Sequence, residues 1–386
     1  MTSNEQNHKI VTPSSEDEGP KGHEEFRRDR LLAAIALIAG IALFLGLPFA
    51  LRAGAEFFLP ITAALVIAIA LVPMLEWFER HSIPSMLAAA LSVILFLLMV
   101  NGALAVIIIP ATDWFMQVPE RLPKIQATLT PLIDFYSNLQ KFVDRMLQSV
   151  ATGTSAQARQ VAVEAPRSVV DFIAGSAPAA AIQIFFAILA VFFFLAGWTR
   201  MRTNTIKSRE SFDSAMQTAR VIQNVVSSTS SYLATITIIN FSLGGTLAVI
   251  LWMMGMPSPI MWGGIAALCN YVPYLGPLLA AMLLGLGGLM TFDQIGLALL
   301  PALVHIGLHT VEANIVTPMV LGRRLTVNPL LILVSLSFWG WVWGTPGALL
   351  AVPILIIVQT VLKATGTPDL AGFLFESGTL THLDED

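Results

Sequence analysis

Charge is scarce in this chain. Asp, Glu, Lys and Arg make up 12% of its 386 residues, about half the share usual in a soluble protein. With 55% of residues hydrophobic, that scarcity excludes an ordinary soluble domain and predicts an integral membrane protein. A net charge of -4 without a basic patch gives no support to nucleic-acid binding. The single cysteine, Cys269, excludes an internal disulfide and a cysteine-clustered metal site, and reads as a small buried filler. No G-x-x-x-x-G-K-[ST] motif occurs, which argues against direct ATP drive. No signal-peptide cleavage pattern follows the first apolar stretch. Nothing in the pattern calls for a cofactor.

What is present is a succession of apolar runs. Residues 1–30 are polar, carry Glu16-Asp17-Glu18 and are expected to be a disordered cytoplasmic tail. Residues 31–110 hold three predicted spans, Leu31–Leu51, Phe57–Leu75 and Met86–Pro110. Arg27, Arg28 and Arg30 before the first place the N-terminus inside. Residues 111–176 break the series. Val118, Leu122, Ile125, Leu129, Leu132, Tyr136, Leu139 and Val143 form an amphipathic stripe. This predicts an extracytoplasmic helical insert, a hairpin over the outer face, with Pro119, Pro123 and Pro131 starting or kinking its helices rather than allowing one rod. Residues 177–231 supply a fourth span, then Arg200, Arg202, Lys207 and Arg209 on the cytoplasmic side, then an amphipathic helix. Residues 232–365 form the predicted transport core, and 366–386 a C-terminal tail, also cytoplasmic. Asn240, with Thr235 and Thr237 nearby, is polar at depth and reads first as an interhelical hydrogen-bonding residue.

Two apolar runs in the core are interrupted. The first, 260–290, contains Asn270-Tyr271-Val272-Pro273-Tyr274-Leu275-Gly276-Pro277; the second, 329–362, contains Trp343-Gly344-Thr345-Pro346-Gly347. Prolines and glycines end one helical half and start another. Each half reaches the bilayer midplane but is too short to cross about 30 Å. Non-helical backbone survives at that depth only where protein or a watery cavity satisfies it. Paired broken segments are the best sequence pointer to a transporter's binding site. If the first run enters and leaves from the outside, Arg323 and Arg324 fall inside and the second run enters from the inside, so the two hairpins oppose each other.

Between Arg220 and Arg323 the only charged residues are Asp293 and Glu312. Asp293 sits in a predicted loop and reads as a helix cap. Glu312 follows His305 and His309 at i+7 and i+3, which puts all three on one helical face. An ionisable group inside a membrane is a functional-site hypothesis by default. Proton or ion coupling therefore competes with structural bonding to backbone freed by Pro318 or by a hairpin turn, and a zinc site of the three residues is a remote third reading.

The ordered set Asn270 to Pro277, Glu312-Ala313-Asn314 with Pro318, Gly322-Arg323-Arg324-Leu325, Asn328-Pro329-Leu330 and Trp343 to Ala348 resembles the C-terminal signature of the AI-2E family of bacterial transporters. The resemblance covers nearly the whole chain. It implies transport: export of the quorum-sensing signal autoinducer-2 or, as in some members, monovalent cation/proton antiport. Where the family often has a second Asn directly after its Glu-Asn pair, this chain reads Glu312-Ala313-Asn314.

The reading is an all-α polytopic membrane protein of the bacterial inner membrane, with about six ordinary spans, two opposed re-entrant hairpins and a helical insert. It would be a secondary transporter working by alternating access and not an enzyme, the intramembrane zinc enzyme being the alternative of another class. Expected binding residues are Asn270, Tyr271, Pro273, Gly276, Pro277, Glu312, Asn314, Gly344, Pro346 and Gly347, with Glu312, His305 and His309 in coupling. Expected partners are a small polar solute, a proton or monovalent cation, the lipid bilayer and further copies of the chain.

Overall fold

The computed structural model describes residues 20–148, 169–209, 211–321 and 328–364. Every regular element among them is helical, and seven helices are long and apolar enough to cross a membrane. Two compact units divide the chain after Ala55. The first contains α1 (Pro20–Ala53). This helix begins inside the stretch expected to be disordered, with Pro20 in a first-turn position whose N–H has no helical partner to lose.

The second unit carries α2 (Ala55–Arg80), α3 (Ser85–Gln148), α4 (Val169–Lys207), α5 (Phe212–Met253), α6 (Pro259–Cys269), α7 (Leu275–Thr291), α8 (Ile295–Val311), α9 (Thr317–Leu321) and α10 (Pro329–Ala364). Helix α3 corrects one expectation. It runs unbroken for 64 residues through Pro110, Pro119, Pro123 and Pro131. Each proline removes one backbone hydrogen bond, but neighbours brace the rod on either side of these positions. Trp114 packs edge-to-face on Trp262 of α6 at 4.9 Å, Arg121 donates to the Met290 carbonyl at 3.1 Å, and Lys124 donates to the Thr291 carbonyl at 3.0 Å. Two cations thus sit on the C-terminal carbonyls of α7, where the helix dipole favours them. Lys124 also pairs with Asp293 at 2.9 Å, and Gln294 rather than Asp293 occupies the cap position of α8. The turn of the expected insert hairpin falls outside the described residues, as do Arg323, Arg324 and the C-terminal tail.

Both broken runs fold back on themselves. Helices α6 and α7 are 11 and 17 residues, about 16 and 26 Å at 1.5 Å per residue. Helix α10 looks continuous until Gly344, whose φ of 67 and ψ of -146 lie outside the helical region. The Ser335 hydroxyl then donates to the Ala351 carbonyl at 2.9 Å, a separation that a straight helix would stretch to about 24 Å. So α10 is a hairpin with legs on either side of Gly344.

Their directions follow from what each leg touches. Along α6, Gly263 meets Gly244, Asn270 meets Asn240 and Tyr271 meets Thr237, so the first hairpin descends α5 toward its N-terminal half. Beyond Gly344, Leu349, Leu350 and Pro353 share a cavity with Thr237 and Phe241, and Ile357 packs on the core that holds Leu75, Leu195, Trp198 and Val226. The second hairpin therefore opens at the end of α5 opposite to the first, and the two turns overlap near its middle. Small residues make this possible. A Cβ on Gly244 would stand 2.4 Å from the Gly263 carbonyl oxygen. Close backbone approach replaces the hydrophobic drive that lipid cannot supply.

Candidate functional site

Two apolar cores lie at opposite ends of the second unit, one around Leu75, Leu195 and Trp198, the other around Trp262, Leu247, Leu251 and Leu284. The first hairpin's turn falls between them and brings polar groups together at depth. Its backbone is held by its own short bonds: Val272 N–H to the Cys269 carbonyl, Leu275 N–H to the Pro273 carbonyl, Gly276 N–H to the Val272 carbonyl. Tyr274 has φ 65, an unusual value for a residue with a Cβ, and it stands directly before α7. Gly276 is there because of a close approach rather than a positive φ. A Cβ on it would lie 1.8 Å from the Cys269 carbonyl oxygen.

The turn is tied to α5 by two side chains. Asn270 Nδ2 donates to Asn240 Oδ1 at 2.8 Å, both residues being buried, and the Tyr271 hydroxyl donates to Thr237 Oγ1 at 2.8 Å. Asn240 Nδ2 is buried with no hydrogen-bond partner. The interhelical role read for Asn240 is thus observed, with the broken segment as its partner.

From the other side comes Glu312, which is buried. At this residue the helix widens: Glu312–Val316 is a single π turn, closed by the Thr317 N–H bonding to the Glu312 carbonyl. Such turns insert one extra residue into a helix and are frequent at functional sites. The widening carries Thr317 round to the carboxyl, and its hydroxyl donates to Glu312 Oε1. His309 Nδ1 lies 3.0 Å from Oε2. His305 is buried and its Nε2–H donates to the Pro277 carbonyl at 3.2 Å, tying α8 to the start of α7. The His305 and His309 rings lie 6.3 Å apart and nearly parallel. His305, His309 and Glu312 do share a face, but only His309 touches the carboxyl. Among the described residues no three His, Cys, Asp or Glu side chains lie close enough to hold a metal ion, so the geometry lends the zinc reading nothing.

Not all the expected residues meet here. Asn314 is exposed and its amide donates to the Thr310 carbonyl of its own helix. Gly344, Pro346 and Gly347 form the second turn, where a Cβ on Gly347 would stand 2.0 Å from the Trp339 carbonyl oxygen. These three are not among the residues lining the cavity; Leu349, Leu350 and Pro353 on the following turns are. That cavity, about 600 Å³, runs between α2, α3, α5, α6 and α10 and is apolar except for Ser230, Thr237 and Tyr271. Sequence reasoning left Thr237 and Thr317 out of the site. Thr317 is five residues from Glu312, a spacing that faces Glu312 only on a π turn.

Comparison with known proteins agrees with this architecture. The profile of the family described as AI-2E family transporter matches residues 31–366. The chain belongs to the AI-2E transporter family. One relative in Escherichia coli K12 is named AI-2 transport protein TqsA; it is 26% identical over 318 residues, covering 82% of this chain and 88% of TqsA. YhhT of the same organism, named only provisionally as a transport protein, is 24% identical over 344 residues, or 87% and 90% of the two chains. YrrI of Bacillus subtilis, named in the same provisional way, is 25% identical over 323 residues, or 79% and 85%. This AI-2E member is therefore a multi-pass membrane protein of a transporter family.

Proposed function

We propose that the chain is a secondary transporter of the bacterial inner membrane that works by alternating access and exports a small polar solute of the autoinducer-2 kind. The observation that carries this reading is a broken helix's turn tied to α5 by Asn270 and Tyr271 and to α8 by His305, with a buried carboxyl, Glu312, on the π turn that continues α8. Half-helix ends bring backbone dipoles and unspent carbonyls to such a place, and these recognise polar groups or cations. The free amide hydrogens of Asn240 add a donor there. TqsA's printed name supports the solute, at 26% identity. Both termini lie in the cytoplasm in this reading, and copies of the chain associate.

A second reading, monovalent cation/proton antiport, is favoured by one specific feature. Glu312 is a buried carboxyl beside an imidazole, and a carboxyl in that position exchanges a proton or binds a cation. The two readings separate in proteoliposomes holding the purified protein. Efflux of labelled autoinducer-2 down an imposed proton gradient supports the first. Proton release on addition of sodium, potassium or lithium, without solute efflux, supports the second. Neither response under any imposed gradient would contradict both.

A further inference from the structure

We propose that the cavity of about 600 Å³ between α2, α3, α5, α6 and α10 is a binding site for an uncharged amphiphile from the bilayer, an apolar body with an alcohol head that Tyr271 and Thr237 hold. Such a ligand is separate from the transported solute, and its binding does not depend on what that solute is.

A volume of about 600 Å³ lies within the roughly 300–1,000 Å³ of pockets that enclose drug-sized ligands. Among the described residues none that lines it is charged, so a carboxylate, phosphate or ammonium would enter without a partner for its charge. Met99, Ile238 and Phe241 line it and are exposed along their spans, so its opening faces lipid rather than water. Lipid tails are as apolar as the walls, and moving an apolar body from one to the other gains little. Selection therefore comes from the polar end.

Three hydroxyls make that end, and each has already spent its one hydrogen. Ser230 donates to the Val226 carbonyl at 2.6 Å, Thr237 to the Leu233 carbonyl at 2.6 Å, and Tyr271 to Thr237 Oγ1 at 2.8 Å. What they have left for a ligand is lone pairs alone. An alcohol brings the hydrogen that this end lacks. An ether, ester or ketone brings only acceptors, and an acyl chain brings neither, so these fill the space without being selected. Ser230 stands two turns of α5 from Thr237, about 10 Å. A compact head meets one or the other, and the Thr237–Tyr271 pair offers two oxygens against one. The apolar body then lies between the hairpins, since Ala267 and Leu268 of the first and Leu349 and Pro353 of the second are walls of the same cavity.

Two photoreactive probes with the same octyl diazirine chain, one ending in a hydroxyl and the other in its methyl ether, separate selection from filling. They are added at equal membrane concentration to full-length protein in phosphatidylcholine nanodiscs and irradiated, and the labelled residues are located by mass spectrometry. The alcohol is expected to label cavity residues of α3 and α10 at least about fivefold more than the ether, the factor that one hydrogen bond gives. Ala103→Trp puts a ring into the cavity and is expected to abolish that labelling. Thr237→Val takes away the acceptor of the Tyr271 hydrogen, so the polar end gains a donor and the ether is expected to rise toward the alcohol. The wild-type protein with the two probes decides alone if Thr237→Val does not elute as a folded species. Equal labelling by both probes in wild type overturns the inference, because the cavity then holds ordinary lipid chain. Labelling that misses the cavity, that persists in Ala103→Trp, or that keeps the same preference in Thr237→Val overturns it too. None of these outcomes measures transport, so the transport reading stands or falls separately in the proteoliposome assay.

Discussion

Glu312 sits where its helix is least regular, and the irregularity is what lets Thr317 reach it. A strict 3.6-residue period puts residues three and four apart on one face, so His309 was legible as a neighbour while Thr317 was not. Gly344 was legible as a break because glycine before Thr-Pro-Gly interrupts an apolar run. Its backbone angles, φ 67 and ψ -146, fall in a region nearly reserved for glycine. Gly344→Ala is expected to destabilise the protein by about 1–3 kcal/mol, read as a lower melting temperature, with the loss of transport in proportion to the loss of folded protein. Gly276→Ala meets a different obstacle, because its Cβ would overlap the Cys269 carbonyl. It has to pry the first turn open, so transport is expected to fall far more than the yield of folded protein. Equal losses at Gly276 would make that turn a structural feature only. His305→Gln keeps a donor for the Pro277 carbonyl but loses the ring, and is expected to shift the pH profile of transport without abolishing it.

At the scale of elements, the hairpins could be read from the sequence and the long α3 rod could not. Prolines and glycines inside a run too apolar to leave the membrane have few structural outcomes, and re-entry is the one that satisfies the backbone. The α3 prolines suggested kinks because each loses a hydrogen bond, a local argument. What keeps the rod whole is tertiary: Trp114 on α6, Arg121 and Lys124 on the end of α7. Asp293 was misread for a related reason, since loop position suggested a cap while its partner lies 169 residues earlier in the chain. The Asp293 side chain is 90% exposed, so its pairing is worth about 0–1 kcal/mol. Asp293→Ala is expected to be close to neutral in thermal stability. Lys124→Ala, which also frees the Thr291 carbonyl, is expected to cost more and to raise hydrogen exchange at the end of α7. Equal effects would mean that the carbonyl contact contributes nothing.

For the whole molecule, the opposed hairpins fix a prediction about sidedness. With Cys269 replaced by Ser, single cysteines at Asp293 and at Arg324 are expected to label from opposite faces, the first from outside with an impermeant reagent and the second only after the membrane is opened. External labelling at position 324 would contradict the two-hairpin arrangement. Class, hairpins and the Glu312 face were all legible because a membrane leaves so few ways to satisfy a backbone or a charge. Asn314 was placed in the site by motif, and the structure puts it on an exposed face with its amide bonded back to Thr310.

The central claim is that Glu312 couples a gradient to movement of the hairpins, and Glu312→Gln in proteoliposomes tests it most directly. The variant keeps the shape of the side chain but cannot change charge. The account predicts that it reconstitutes like wild type, loses transport driven by an imposed proton gradient, and keeps counterflow exchange, which needs no net proton movement. Gradient-driven transport at the wild-type rate, with an unchanged pH dependence, would contradict the coupling role and leave Glu312 as a structural hydrogen-bonding partner of Thr317.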